Sequence, residues 1–413
     1  MKKVIGLVAL VALTFAALAA GQDSRGPVNA LGIVGARVYT SPGEPPIESG
    51  TVIVSNGRMT AVGDRAVVPV PQGAETIAGE GLTVTAGFWN SHVHFSDKQW
   101  DNASTLPAAQ LARQLEAMLT RYGFTSVFDT GSLLQNTIAL RRRITANEIA
   151  GPRILTSGEP FTARNGTPYY IKPIQLPELL DPTQASAAAR AHLSAGADAI
   201  KLHAGAIVDR DRDLWVAIDV GLVQAVVAEA HASGKFVLAH PQYLDGLRNA
   251  VDGGVDVLLH VTELLDQWPK ELLARAIAQR IAMVPTLKLL ASPEFPKRRQ
   301  NLLRQVREFR EAGGEILFGT DVGFIPDYDP AEEYVSMQLA GMSGHDILRS
   351  LTIAPARRFA AAEQTGRIAV GADADLVVLE GDPIADVRNF VRVRHTIRAG
   401  RVIYSNGRGP SQR

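Results

Sequence analysis

Cysteine is absent from all 413 residues. That removes disulfides, a thiol nucleophile and thiolate metal sites together. Any metal must therefore be held by nitrogen and oxygen ligands. An excess of either charge is also missing, with 42 basic residues against 42 acidic, so no basic field argues for nucleic acid. There is no long single-sign run, heptad repeat or low-complexity segment. No GxSxG elbow, HExxH helix or Walker loop occurs, which excludes serine hydrolases of the elbow type, zincins and P-loop enzymes.

The chain does have apolar material. Hydrophobic residues make up 46 %, enough for a sizeable core, and the length suits a large barrel with a smaller domain. Lys2 and Lys3 precede an apolar run from Val4 to Ala20, and Ala17-Leu18-Ala19 has the small residues a signal peptidase reads. The reading is a cleaved signal peptide over 1–20 and a periplasmic or secreted protein, the alternative being an uncleaved anchor. No later segment is apolar enough to span a bilayer.

Residues 30–83 read as short strands and turns, with Ser55-Asn56-Gly57 a turn signal. Residues 366–408 have the same texture. Short β pieces at both ends of a chain predict one composite, β-sandwich-like domain. Between them, over 84–365, a helix, a glycine and a short apolar strand recur. The glycines suit helix C-caps, and the strands lack clean alternation, as parallel strands buried on both faces should. Counting the strand before His92 there are eight, which predicts an α/β fold, a (β/α)8 TIM barrel. A doubly wound open sheet is the competing topology; it calls for a Gly-rich phosphate turn after the first strand, and none is present.

Strand ends carry the chemistry. His92 and His94 end the first strand, Lys201 lies near the end of the fourth, His240 ends the fifth, His260 the sixth and Asp321 the eighth. Residues i and i+2 of a strand share a face, so His92 and His94 aim together. A barrel collects such positions at one rim, where they form candidate ligands of a metal centre. His192, His231, His345 and His395 fall in helices or the terminal β region and read as structural. A protonated Lys201 cannot bind a cation, but burial lowers a lysine's pKa, and a neutral amine can add carbon dioxide to become an anionic carbamate ligand. The other reading of Lys201 is an ordinary ion-paired lysine. Two divalent ions about 3.5–4 Å apart lower the pKa of water towards 7 and polarise a carbonyl, and Asp321 would be the general base. Zinc is the default metal, with manganese or iron also compatible.

Taken as a set, FWNSHVHF, GADAIKLHAG, AH at 239–240, GVDVLLH, FGTD and the tail LTIAPARRFAAAEQTGRIAVGADADLVVLEGDPI resemble the amidohydrolase superfamily, in the branch of imidazolonepropionases and Xaa-Pro dipeptidase-like enzymes. The resemblance covers nearly the whole mature chain. It implies a barrel flanked by a domain from both chain ends, a binuclear site held by His92, His94, Lys201, His240, His260 and Asp321, N-carboxylation of Lys201, and hydrolysis of an amide-type bond in a dipeptide, N-acyl amino acid or cyclic amide. A lactonase or esterase on the same centre is the alternative, and a barrel that binds metal without catalysis is a further one. Three stretches depart from the family pattern: Asn90 in place of an aspartate, PQYLDG after His240, and HAGAIVDRDRD after Lys201.

Around this centre, His203 shares the face of Lys201 and is a candidate to contact the substrate carbonyl. Tyr169 and Tyr170, in GTPYYIKP, are candidate substrate contacts, and one phenol would donate to an oxyanion. Arg210 or Arg212 would hold a substrate carboxylate, and Ser96, Asp97 and Trp100 would line the mouth. The expected partner is a small molecule, with no nucleic acid and no membrane span after signal cleavage; self-association is left open.

Overall fold

A computed structural model describes residues 30–359, 361, 363–407 and 411–412. The expected signal peptide lies outside them. No helix among the described residues is long and apolar enough to cross a membrane.

The first strands are β1 (Ala30–Val38), β2 (Ile47–Ser55), β3 (Arg58–Asp64), β4 (Glu75–Ala78) and β5 (Leu82–Ala86). Asn56 and Gly57 both adopt positive φ and make the tight β2–β3 turn that the sequence predicts. Eight strands then rise through the middle of the chain in the predicted places. They are β6 (Phe88–Val93), β7 (Phe124–Asp129), β8 (Arg153–Thr156), β11 (Ala199–Asp209), β13 (Phe236–Pro241), β14 (Val257–Leu259), β15 (Ala282–Val284) and β16 (Glu315–Ile316). The short β9 (Phe161–Ala163), β10 (Glu178–Leu179) and β12 (Leu214–Ala217) are additions. The chain returns to β-structure with β17 (Leu376–Glu380), β18 (Val393–Arg398) and β19 (Arg401–Ser405).

Both ends of the chain share one nine-stranded sheet. β17 pairs antiparallel with β5, Leu376 opposite Ala86 and Val378 opposite Val84, so the C-terminal strands extend the N-terminal ones. Ile33, Val52, Val54, Met59, Val84, Leu376, Val378 and Ile397 supply its apolar core.

The eight central strands form parallel ladders in two sheets, β6-β7-β8 and β11-β13-β14-β15-β16, the second extended by β9, β10 and β12. Single backbone bonds cross between the sheets. Asp198 N–H donates to Thr156 O at 2.7 Å, at the junction of β8 and β11. On the other side Ser91 N–H donates to Phe318 O, Asp321 N–H to His92 O and His94 N–H to Val322 O, at 2.7–2.9 Å. One apolar cluster draws side chains from both sheets, including Trp89, Phe128, Leu238, Leu259, Val284 and Leu317.

The glycine pattern puts helix caps at Gly123, Gly151, Gly196, Gly234, Gly254 and Gly314 and a loop after Lys201, and the structure differs in three details. Asn147 at positive φ, not Gly151, follows the helix Leu134–Thr145. Gly313, not Gly314, takes the left-handed cap of the helix Pro296–Glu311. Gly314 is needed for space, because a Cβ there would lie 2.3 Å from the Phe309 ring. The segment after Lys201 is not a loop: β11 runs on to Asp209 and turns into an antiparallel hairpin with β12.

Candidate metal centre

The ends of β6, β14 and β16 converge on one buried group. His92 Nε2 lies 3.2 Å from His94 Nε2 and 3.1 Å from Asp321 Oδ1, and His94 Nε2 lies 2.8 Å from the same oxygen. His260 Nε2 is 3.8 Å from Asp321 Oδ2. His92, His260 and Asp321 are buried, and their potential ligand atoms all fall within 4.8 Å of one another. His240 joins through its ring, 4.6 Å from His260, and His203 packs on His240 at 5.0 Å.

This crowding depends on backbone that approaches closely. Gly319 lets the eighth strand lie against the first: a Cβ there would sit 2.3 Å from Val284 Cγ1 and 2.9 Å from His92 Cβ. Asn90, the expected departure from the family pattern, ties the same seam. Its amide donates to Thr320 Oγ1 at 2.8 Å, and its Oδ1 accepts from the N–H groups of His92 and Thr320 at 3.2 Å. Asp321 and His260 hold positive φ of 61° and 76°. Such strain in non-glycine residues costs about 1–3 kcal/mol each and persists where the surroundings over-determine it.

Burial dominates the electrostatics of the group. Burial pushes His92 down to about 4 and His240 to about 3, although Asp321 opposes both shifts. Burial also takes His260 and His203 well below the usual histidine range. Desolvation disfavours the Asp321 carboxylate, but His92 and His94 hold its pKa well below the ordinary value. The buried His92 imidazole and the Asp321 carboxylate, 3.1 Å apart, are a nitrogen and an oxygen group that one divalent cation between them would bind. His92 Nδ1 is a buried atom with no hydrogen-bond partner. Thr286 lies against the inner nitrogen of His260. Its hydroxyl lies 2.8 Å from Pro285 O and 2.5 Å from His260 Nδ1. With its one hydrogen given to the carbonyl, it accepts from Nδ1–H and leaves the Nε2 lone pair toward Asp321. These residues fit a divalent metal ion with nitrogen and oxygen ligands.

Lys201 is 2 % exposed, and burial lowers it to about 8 against the pull of Asp321 and Asp129. Asp129, which the sequence reading passed over, ends β7 and is fully buried. It accepts from Ser132, Thr137 and Thr156 hydroxyls at 2.5–3.0 Å, yet burial still raises its pKa. The strand-end rule that selected the histidines would have found it in FTSVFDT.

Tyr169 and Tyr170 sit on a segment pinned to the long β11: Tyr169 N–H donates to Ile207 O at 2.9 Å and Lys172 Nζ to Val208 O at 2.8 Å. Tyr170 packs edge-on against Tyr169 and Phe324. Burial, then Asp321 and Glu263, raise its phenol far above the ordinary value, so it stays a donor. His203 is buried, with Nδ1 unpartnered. Two expected contacts are not brought to the centre. Trp100 is fully buried, edge-on against Phe95, so it does not line the mouth. Arg210 lies in the exposed turn between β11 and β12, nine residues past Lys201, roughly 30 Å of extended chain. Arg212 in the same turn pairs loosely with Asp209.

The fold is α/β with parallel strands, and a buried histidine–aspartate cluster at their ends is a candidate metal centre. The match to the amidohydrolase family model over residues 83–403 is decisive, and the chain belongs to that family, an enzyme class that hydrolyses carbon–nitrogen bonds. The chain is 24 % identical to an Aspergillus niger ochratoxinase over 88 % of its own length and 85 % of the relative's. A prolidase candidate from Bifidobacterium longum superposes with a TM-score of 0.76 at 26 % identity, covering 93 % of this chain and 97 % of that one. A Xaa-Pro dipeptidase with bound methionine in its active site also gives 0.76, at 22 % identity, covering 92 % and 100 %.

Proposed function

We propose that this protein cleaves an amide-type bond, in a dipeptide, an N-acyl amino acid or a cyclic amide, at a binuclear centre held by His92, His94, Lys201, His240, His260 and Asp321. The observation that carries the reading is the meeting of His92, His94 and Asp321 within 3.2 Å in a buried site where desolvation lowers the pKa of His92. The hydrogen bonds across both seams support closure of the two parallel sheets into one (β/α)8 barrel, the architecture that gathers strand ends at a single rim.

When bound, divalent ions supply Lewis-acid polarisation of the substrate carbonyl and lower the pKa of water. Asp321, held ionised by its histidine neighbours, accepts the proton of the attacking water and delivers it to the leaving nitrogen. In this reading Tyr170, kept protonated by burial and by Asp321, donates to the oxyanion, and His203 donates or accepts beside it. The lowered pKa of Lys201 favours the neutral amine, which adds carbon dioxide and releases one proton to give the carbamate ligand. The signal-peptide pattern of residues 1–20 supports a periplasmic or secreted enzyme.

A panel of dipeptides, N-acyl amino acids, cyclic amides and lactones tests this, with metal content measured alongside. Turnover of an amide substrate, near two ions per chain, and loss of at least about 100-fold in kcat for Asp321→Asn are expected. Turnover of lactones alone would transfer the reading to an esterase. Activity unaffected by Asp321→Asn would remove the base.

A further inference from the structure

Glu333 is a fully buried acid that the proposed chemistry does not use. It lies in the first turn of the helix Ala331–Leu339, which follows the eighth strand, and reaches back to the turn that follows β15. Its Oε2 accepts from the N–H of Lys288 at 2.7 Å, and Leu287 contributes a second backbone bond. Its Oε1 is buried without a partner. The lysine's ammonium is committed elsewhere, to the carboxylate of Asp327 at 2.9 Å and to the carbonyls of Asp327 and Asp329. Burial pushes Glu333 up to about 8, so it is an uncharged hydrogen-bonding group at neutral pH rather than half of an ion pair.

What Glu333 holds is the start of the short helix Leu287–Leu290, whose preceding residue is Thr286 at φ 47°, ψ 49°. A β-branched residue pays heavily for that left-handed conformation. It is nevertheless the conformation in which the Thr286 hydroxyl lies 2.5 Å from His260 Nδ1, and the residue is fully buried. Nothing in the covalent chain favours this geometry, so the packing around residues 287–288 must enforce it.

We infer that Glu333 is a positioning residue for His260: by binding the amides of Leu287 and Lys288 it keeps Thr286 left-handed, and Thr286 in turn fixes the ring and tautomer of His260. This rests on the reading of His260 as a metal ligand only where metal affinity is concerned. The path runs from one helix, through main-chain bonds, to an imidazole of the centre, and Glu333 itself touches neither substrate nor ligand atoms.

The test uses the full-length protein with Glu333→Leu, Glu333→Gln, Thr286→Val and the Glu333→Leu/Thr286→Val double variant. Circular dichroism checks the fold. The His260 Nδ1–H resonance in the metal-free protein and the affinity for Zn²⁺ alone are the readouts. Glu333→Leu is expected to lose the protected Nδ1–H signal and to bind Zn²⁺ about 10-fold or more weakly. Glu333→Gln keeps a carbonyl acceptor and should retain both. In the Thr286→Val background, Glu333→Leu should add no further loss, because the two act in series. Should Glu333→Leu not fold, Glu333→Asp withdraws the acceptor by one methylene and carries the same expectation. A folded Glu333→Leu or Glu333→Asp variant with the Nδ1–H signal intact and Zn²⁺ affinity within twofold of wild type overturns the inference, as do additive losses in the double variant. A Zn²⁺ affinity unchanged by His260→Ala would overturn the ligand reading instead, while the Nδ1–H signal still decides the role of Glu333.

Discussion

The hydroxyl of Thr286 sits 2.5 Å from Nδ1 of His260, and its hydrogen is directed to the carbonyl of Pro285. This contact turns an imidazole at the end of a strand into an oriented lone pair. The ring's other nitrogen then faces the carboxylate of Asp321. In the metal-free protein His260 should therefore be the Nδ1–H tautomer, read from its ¹⁵N shifts. Thr286→Ser should keep that tautomer, and an Nε2–H form in wild type would show that the hydroxyl donates to the ring instead.

Asn90 bonds across the seam between the first and eighth strands through both ends of its amide. Asn90→Ala leaves the buried Thr320 hydroxyl and two backbone N–H groups short of partners. The expected loss is about 1–3 kcal/mol in denaturant unfolding. The same variant should also bind metal less well, because His92 N–H is one of the freed groups. Asn90→Asp keeps the acceptor but sets a second oxygen against Thr320 Oγ1, which can answer by turning its hydroxyl hydrogen. Stability closer to wild type than that of Asn90→Ala is expected.

Glu333 gives stability a pH dependence. Its ordinary value is 4.5, and burial raises it to about 8 in the folded protein, with Lys288 opposing and Glu332 adding to the rise. Below about 4.5 the group is protonated in both states and costs nothing. Between the two values the unfolded chain releases a proton that the native state keeps, so stability falls as pH rises, and levels off above about 8. Glu333→Gln has no proton to release. Relative to wild type it should gain on the order of 1–4 kcal/mol between pH 5 and pH 9 in urea titrations. A constant difference across that range would mean that Glu333 ionises freely.

Produced with residues 1–29 intact in a Gram-negative host, the protein is expected in the periplasmic fraction with a new N-terminus close to Gly21, as read by mass spectrometry. An intact Met1 in the membrane fraction would favour the anchor.

Much of the arrangement was legible in local pattern. The eight central strands lie where apolar runs end in His, Asp or Thr, because parallel strands buried on both faces must be uniformly apolar until they reach the rim. His92 and His94 meet because a two-residue period brings their side chains together. Local pattern was weaker where a residue's role depends on a remote neighbour. Trp100, read as lining the mouth, is buried against Phe95. The segment after Lys201 continues as a strand because it pairs with β12 and holds the Tyr169–Tyr170 segment.

By itself, the amino-acid sequence determined the order of elements, the absence of thiolate ligands and the identity of the side chains offered at the strand ends, since propensity, periodicity and composition are properties of neighbours along the chain. Tertiary structure alone decided which of those side chains meet, how far burial drives His92 toward about 4 and Lys201 toward about 8, and that Thr286 and Asp321 hold left-handed backbone. Desolvation and close approach arise only when strands some 230 residues apart are packed side by side, as His92 and Asp321 are.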